Sequence, residues 1–260
     1  MTYRLLALDL DGTVMGRSSA ISPRIKRTIE RALEKGVVVT LATGRVFGSA
    51  LPFAQELGIR APIISSQGAM IRAPLKRPLA EWTIPLALAH RLIAVGREAG
   101  LQLSAYVGDI LCLESQGPQV YPPSVEVKVV EDLFSSLPGE PHKMRFEGDE
   151  GVIWTLASLL PEQFRGLLNL ARPDPFSLQA THREASKGQG LAYLARHLGI
   201  PREEVMAIGD YDNDVDMVAW AGLGVAMGNA SPRLLAVADE VVPPLDEEGA
   251  AVAIERYILK

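Results

Sequence analysis

The stretch Tyr3-Arg4-Leu5-Leu6-Ala7-Leu8-Asp9-Leu10-Asp11-Gly12-Thr13 passes from an almost unbroken apolar run straight into two acids, a glycine and a hydroxyl. Apolar residues without alternation fit a strand covered on both faces, as in a parallel sheet layered between helices. The acids then fall just beyond a strand's carboxyl end, where open α/β sheets bind their ligands.

The same alternation extends outward. Ser22-Pro23 offers a helix cap and a first-turn proline, Ile25, Ile29 and Leu33 follow at helical spacing, and Gly36 is a stop. Residues 37–42 read as a second buried strand running into Thr43-Gly44-Arg45, residues 46–57 as a helix stopped by Gly58, and residues 62–65 as a third strand. This β-α-β-α-β order implies a parallel sheet with right-handed crossovers. Near residue 72 the character changes. Residues 73–78 look like a linker or edge hairpin. Between 83 and 183, helical stretches (86–99 and 150–171) mix with strand-like runs (102–107, 110–113, 125–130, 143–146 and 176–181). Alternation resumes after residue 184. Helices are expected at 187–198, 212–221, 232–238 and 247–258, and strands at 205–208, 223–227 and 240–242. The expected fold is α/β: a Rossmann-like parallel-sheet core from residues 1–82 and 184–260, carrying an inserted α+β domain at 83–183.

Composition sets limits on function. The 260 residues are 48% hydrophobic and 22% charged, with a net charge of −5. An acidic chain without a dense Lys/Arg run argues against a nucleic-acid partner. Cys112 is the one cysteine, so an internal disulfide is excluded, and no Cys/His cluster suggests zinc. No stretch approaches the roughly 18 apolar residues of a membrane helix, and the first apolar run is too short for a signal peptide. A cytoplasmic protein with no membrane partner is the expectation. Whether it is a monomer or a dimer is left open.

The chemistry gathers at strand ends. Asp9 and Asp11 follow the first strand, Thr43-Gly44-Arg45 the second, and Gly209-Asp210 with Asn213 and Asp214 another. If those strands are neighbours, four carboxylates meet at one edge, and like charges in a partly dry site need cancelling. A hard dication does that, and oxygen donors select Mg²⁺, which usually shares its shell with a phosphate. Gly12 permits a sharp turn beside the acids, and Thr13 can bond back to the loop. Thr43 and the amides after it offer an anion seat at a helix start. Lys187, at another helix start, adds positive charge.

Taken together, these segments resemble the haloacid dehalogenase (HAD) superfamily, and within it the Cof-like, subclass IIB sugar phosphatases. The match lies in Asp9–Thr13, Thr43–Arg45, Lys187-Gly188 and Gly209–Asp214, and the run through Ala230 is similar to that group. The resemblance implies that the insert is a cap domain. It implies that Asp9 is the nucleophile, attacking phosphorus in line, and Asp11 the general acid–base. Mg²⁺ would be held by Asp9, Asp11 through its carbonyl, Asp210, and Asp214 directly or through a partner. Thr43, Gly44 and Lys187 would hold the transferring phosphoryl group, and Asn213 would orient it or Lys187. Gln67 stands where relatives usually carry Asn. Arg45, Gln67, His182, Arg183 and Glu184 are candidate substrate contacts, and Asp212 is expected to face solvent.

The implied activity is Mg²⁺-dependent hydrolysis of a small phosphorylated metabolite, such as a sugar phosphate, through an aspartyl phosphate. A sugar phosphomutase would use the same two acids. A phosphate- and metal-binding module without turnover would need neither nucleophile nor acid.

Overall fold

The computed structural model describes residues 3–16, 20–115, 121 and 123–260. In chain order β1 (Leu5–Leu8), α1 (Pro23–Glu34), β2 (Val38–Leu41), α2 (Phe47–Glu56) and β3 (Ile63–Ser65) alternate as the sequence suggests. Ser22 caps α1 by accepting from the Ile25 amide, and Ile25, Ile29 and Ala32 are buried. Next come β4 (Met70–Arg72), β5 (Pro78–Glu81), α3 (Leu86–Glu98), β6 (Gln102–Val107), β7 (Ile110–Leu113), β8 (Glu126–Val129), α4 (Leu133–Ser136), β9 (Lys143–Glu147), α5 (Glu150–Gln163), β10 (Leu168–Asp174) and β11 (Ser177–His182). The chain closes through α6 (Lys187–Leu198), β12 (Val205–Gly209), α7 (Val215–Trp220), β13 (Leu223–Ala226), α8 (Pro232–Leu235), β14 (Glu240–Val241) and α9 (Gly249–Tyr257).

The central sheet has five parallel strands in the order β14-β13-β12-β1-β2. Leu5–Leu8 pairs level with both Val205–Ile208 and Val38–Leu41, so the three strands end at the same height. That register puts Asp9, Thr43 and Asp210 side by side, each one or two residues past its strand. Apolar side chains cover both faces. Leu6 and Leu8 pack with α1, α2 and α9, whereas Leu5 and Ala7 pack with α6 and α7.

Residues 73–77 are the bend of a hairpin whose second strand begins at Pro78. β3, β4 and β5 form a small antiparallel sheet, tied to β2 by a parallel bridge between Ala42 and Ile64. A six-stranded sheet, β10-β11-β9-β6-β7-β8, has its own hydrophobic cluster running from Ile84 to Ala180. A helix over 150–171 is not observed. α5 stops at Gln163, and residues 168–174 form β10. Gly166, at φ +68°, turns the chain after Phe164 and separates the two elements. Among the described residues no helix is long and apolar enough to cross a membrane.

Candidate active site

Asp9 leaves β1 nearly buried and at the meeting point of three loops. Its amide donates to the Ile208 carbonyl of β12, so the neighbouring strand fixes where its side chain starts. Carboxylate oxygens of Asp9, Asp210 and Asp214 lie within 4.8 Å of one another. Lys187, 1% exposed at the start of α6, reaches in between, with its ammonium 2.6 Å from both Asp9 Oδ1 and Asp214 Oδ1. Ser186 caps that helix through the Gln189 amide, and Asp216 accepts from the Gly188 amide at 2.9 Å, so the lysine is held from both sides.

The electrostatics follow from crowding. Burial, reinforced by Asp214 and Asp210 against the pull of Lys187, lifts Asp9 well above the ordinary carboxylate value. Burial and the Asp214 charge push Asp210 up to about 6. Burial alone would lower the Lys187 ammonium, yet Asp214 and Asp9 together hold it above its usual value. One cation therefore serves three acids, and a second positive charge would relieve the remainder. The carboxylates are not equally free to meet one. Asp214 Oδ1 takes Lys187, and its Oδ2 accepts the amides of Asp210 and Tyr211 at 3.0 and 3.2 Å. Asp210 takes the Thr13 hydroxyl at 3.1 Å and, more loosely, the Asn229 amide at 3.4 Å. The donor set is all oxygen, which fits a hard dication and not zinc.

Gly12 sits against this cluster. At φ +96° it occupies the left-handed region, and a Cβ there would lie 2.2 Å from Asp210 Oδ2. Asp11 points elsewhere: Arg45 grips its carboxylate with two bonds, of 2.8 and 2.6 Å. Thr43 is buried, and its hydroxyl accepts from the Arg45 amide at 3.1 Å. Gly44 packs tightly beneath Gln67, whose amide nitrogen would lie 2.7 Å from an added Cβ.

Gln67 lies among these loops. It is buried, adopts φ 59° next to Ser66 at φ 51°, and links three parts of the chain. Its amide nitrogen donates to Gln179 Oε1 at 3.0 Å, and its oxygen accepts from Asn213 at 3.2 Å. Its side chain thereby reaches from the loop after β3 to the six-stranded sheet.

A cavity of about 420 Å³ opens over these groups. From the parallel-sheet side it is lined by Asp9, Asp11, Gly44, Arg45, Gln67, Asp210 and Asn213, from the six-stranded sheet by Tyr106, Lys143, Arg145, Asp174 and Gln179, and between β7 and β8 by Tyr121. His182, Arg183 and Glu184 do not line it. They form a local turn in which the Glu184 amide donates to His182 Nδ1 and Arg183 pairs with Glu184. Arg183 instead lines a second cavity, behind Lys187 and Asn213. Asp212 does not face solvent freely either, because it accepts from Ser231 and Arg233 at 2.7 and 3.1 Å.

Lys143, Arg145, Tyr106 and Gln179 are absent from the sequence-based site. One signal was available. β9 alternates Lys143, Arg145 and Glu147 with buried Met144 and Phe146, a strand with one charged face. Lys143 is itself buried, donates to the Gly44 carbonyl at 2.7 Å, and lies 4.3 Å from the Tyr106 ring centroid. Burial, with Arg145 adding to it and Glu147 opposing, pushes its ammonium down to about 7.

Comparison with known proteins accords with this geometry. The chain is 30% identical to the stress response protein YhaX of Bacillus subtilis, covering 99% of this chain and 94% of that one. It is 25% identical to the 5-amino-6-(5-phospho-D-ribitylamino)uracil phosphatase YitU of the same organism, over 97% of both. A solved haloacid dehalogenase-like hydrolase from Bacteroides thetaiotaomicron superposes with a TM-score of 0.85 at 31% identity, over 98% of this chain and 99% of the other. The family profile of haloacid dehalogenase-like hydrolases matches residues 6–254, and this chain belongs to that family.

Proposed function

We propose that the protein is a Mg²⁺-dependent phosphatase of small phosphomonoesters, sugar phosphates among them, working through an aspartyl phosphate on Asp9. The observation that carries this reading is the buried set Asp9, Asp210 and Asp214 around Lys187, at the level ends of three parallel strands. A bare binding pocket has no use for a desolvated carboxylate aimed into a cavity. The name of the relative YitU, a phosphatase of a phosphorylated ribityl compound, agrees with the reaction class.

The Asp9 oxygen free of Lys187 attacks phosphorus, the ester P–O bond breaks, and the leaving oxygen takes a proton from Asp11. Asp11 then removes a proton from water, which attacks the aspartyl phosphate and releases inorganic phosphate with the Asp9 carboxylate restored. Arg45 must loosen its grip on Asp11 for either proton transfer. Thr43, Gly44, Lys187 and Asn213 cradle the phosphoryl oxygens. Mg²⁺, when bound, neutralises charge on the transferring group. Asp9, Asp210 and the Asp11 carbonyl would hold it. Asp214 has both oxygens engaged by protein donors, so its part is to seat Lys187 and shape the Asp210 loop. We take residues 83–183 as a cap over the core formed by 1–82 and 184–260, in a cytoplasmic protein.

Phosphate release from a phosphomonoester panel, with and without Mg²⁺, tests the reading. Metal-dependent release that Asp9→Asn abolishes is expected. A folded protein that releases phosphate from no ester refutes it. Transfer of labelled phosphate between positions of one sugar, with little release, replaces it by a phosphomutase.

A further inference from the structure

The charged face of β9 forms the wall of the cavity opposite the catalytic loops, through Lys143 and Arg145. Arg145 is already balanced, lying 3.1 Å from Glu147 and 3.5 Å from Asp174. Lys143 is not. It is 4% exposed, its contacts are a backbone carbonyl and a tyrosine ring, and among the described residues no carboxylate pairs with it. A buried ammonium without a counterion is unfavourable. Here burial is strong enough to push it down to about 7. The same wall holds a further buried polar atom that finds no hydrogen-bond partner among the described residues, Arg145 Nε. Polar groups left open in this way are expected where a ligand completes them.

The needs of the transferring phosphoryl group are met on the other wall, by Lys187, the loop amides and the oxygen cluster. Lys143 approaches from the six-stranded sheet, across the cavity from Asp9 and Asp210. The cavity, at about 420 Å³, has room for a leaving group of sugar size beside the phosphate.

We propose that the site selects phosphomonoesters whose leaving group carries a second acidic group, a carboxylate or another phosphate, bound by Lys143 with Arg145 beside it. This rests on the phosphatase reading above and names its substrate class. Lys143 is then a specificity residue, and the bond to Gly44 is its resting position.

Matched substrates test it: phosphoglycerate against glycerol phosphate for the carboxylate, and a hexose bisphosphate against the hexose monophosphate for the second phosphate. The acidic member of at least one pair should have the higher kcat/KM, by tenfold or more, and the pair that shows it identifies the acidic group. In Lys143→Met that ratio should collapse toward one. Lys143→Gln, which keeps a donor for the Gly44 carbonyl without the charge, should do the same and serves if the Met variant folds poorly. A wild-type preference for the neutral members, or a ratio unchanged in both variants, overturns the proposal. Equilibrium binding of the same pairs to Asp9→Asn, with and without Lys143→Gln, reads the preference independently of turnover. No hydrolysis of any member by the wild-type protein, with the preference intact in binding, would sink the phosphatase reading alone. Equal binding of both members would sink the substrate class alone.

Discussion

Replacing Lys187 with Met removes the cation that both Asp9 and Asp214 contact at 2.6 Å. Packing is nearly conserved, since Met fills most of the lysine stem, so the cost is electrostatic. Breaking a buried pair from one side costs roughly 3–5 kcal/mol, because it strands the other charge, and here two carboxylates are stranded with a third beside them. For a chain of this size that corresponds to a melting temperature lower by about 6–20 °C. The penalty must depend on pH, and its sign can be worked out. Asp9 and Asp210 already have folded pKa values above their unfolded ones, Asp210 at about 6. Losing Lys187 raises them further. The folded variant then binds more protons than the unfolded chain, so its stability falls as pH rises through the raised values and recovers as pH falls. Thermal melts of wild type and variant at about pH 5 and pH 8 should therefore diverge at the higher pH and approach each other at the lower. Adding Mg²⁺ at about 100 times its dissociation constant should return about 2.7 kcal/mol to any form that still binds it. A variant melting within about 2 °C of wild type at pH 8, or losing equally at both pH values, would refute the view of Lys187 as the buried countercharge.

Other substitutions separate the remaining roles. Asp11→Asn should slow turnover by about 10²–10⁴-fold, as loss of a general acid does, and leave labelled aspartyl phosphate trapped on Asp9, detectable after acid quench. Gly12→Ala forces a Cβ to 2.2 Å from Asp210 Oδ2 at a left-handed φ. The displaced loop should lower kcat about a hundredfold, with weaker Mg²⁺ dependence in a metal titration. Lys143→Met should melt higher than wild type at about pH 6, and the gain should shrink toward pH 9. The lysine is pushed from 10.5 to about 7, so its buried charge destabilises fully below 7 and is relieved as pH rises to its unfolded value. An unchanged melting difference across that range would count against it.

What could be read from sequence divides along a physical line. Asp9, Thr43 and Asp210 were legible because each ends a buried, β-rich run, and parallel pairing in level register carries such ends to one edge with no further information. Lys187 was legible for a similar reason, at a capped helix start. His182, Arg183 and Glu184 were misleading. Their place where the core meets the insert suggested contact with a ligand, but they bond to one another in a tight turn at the end of β11 and do not line the cavity over Asp9. The helix read over 150–171 overshot because residues after Gly166 remain apolar enough for either structure, and only pairing with β11 makes them a strand. Lys143 and Gln179 depend on how one whole sheet is seated over another. That seating is set by contacts such as Gln67 with Gln179 and the Gly48 amide with Asp109 at 2.6 Å, which no local pattern announces.

The two buried lysines show why that boundary matters. Lys187 and Lys143 are similarly buried, Lys143 lining the cavity over the catalytic loops and Lys187 bonded to Asp9 beneath it, yet their ammonium groups shift in opposite directions. Lys187 is raised because two carboxylates of the same chain face it, so its charge is fixed internally and the oxygen cluster depends on it. Lys143 meets a carbonyl and a ring, and among the described residues no carboxylate pairs with it, so its charge is only partly offset from within the chain. A cation compensated from within belongs to the architecture of the reaction centre and would serve any phosphomonoester. One left uncompensated stays charged at neutral pH most readily when an anion arrives from outside, so its occupancy couples protonation to the identity of the leaving group. On the proposed function, the phosphoryl chemistry would then reside where strand register alone can build it, and discrimination among leaving groups would reside on β9.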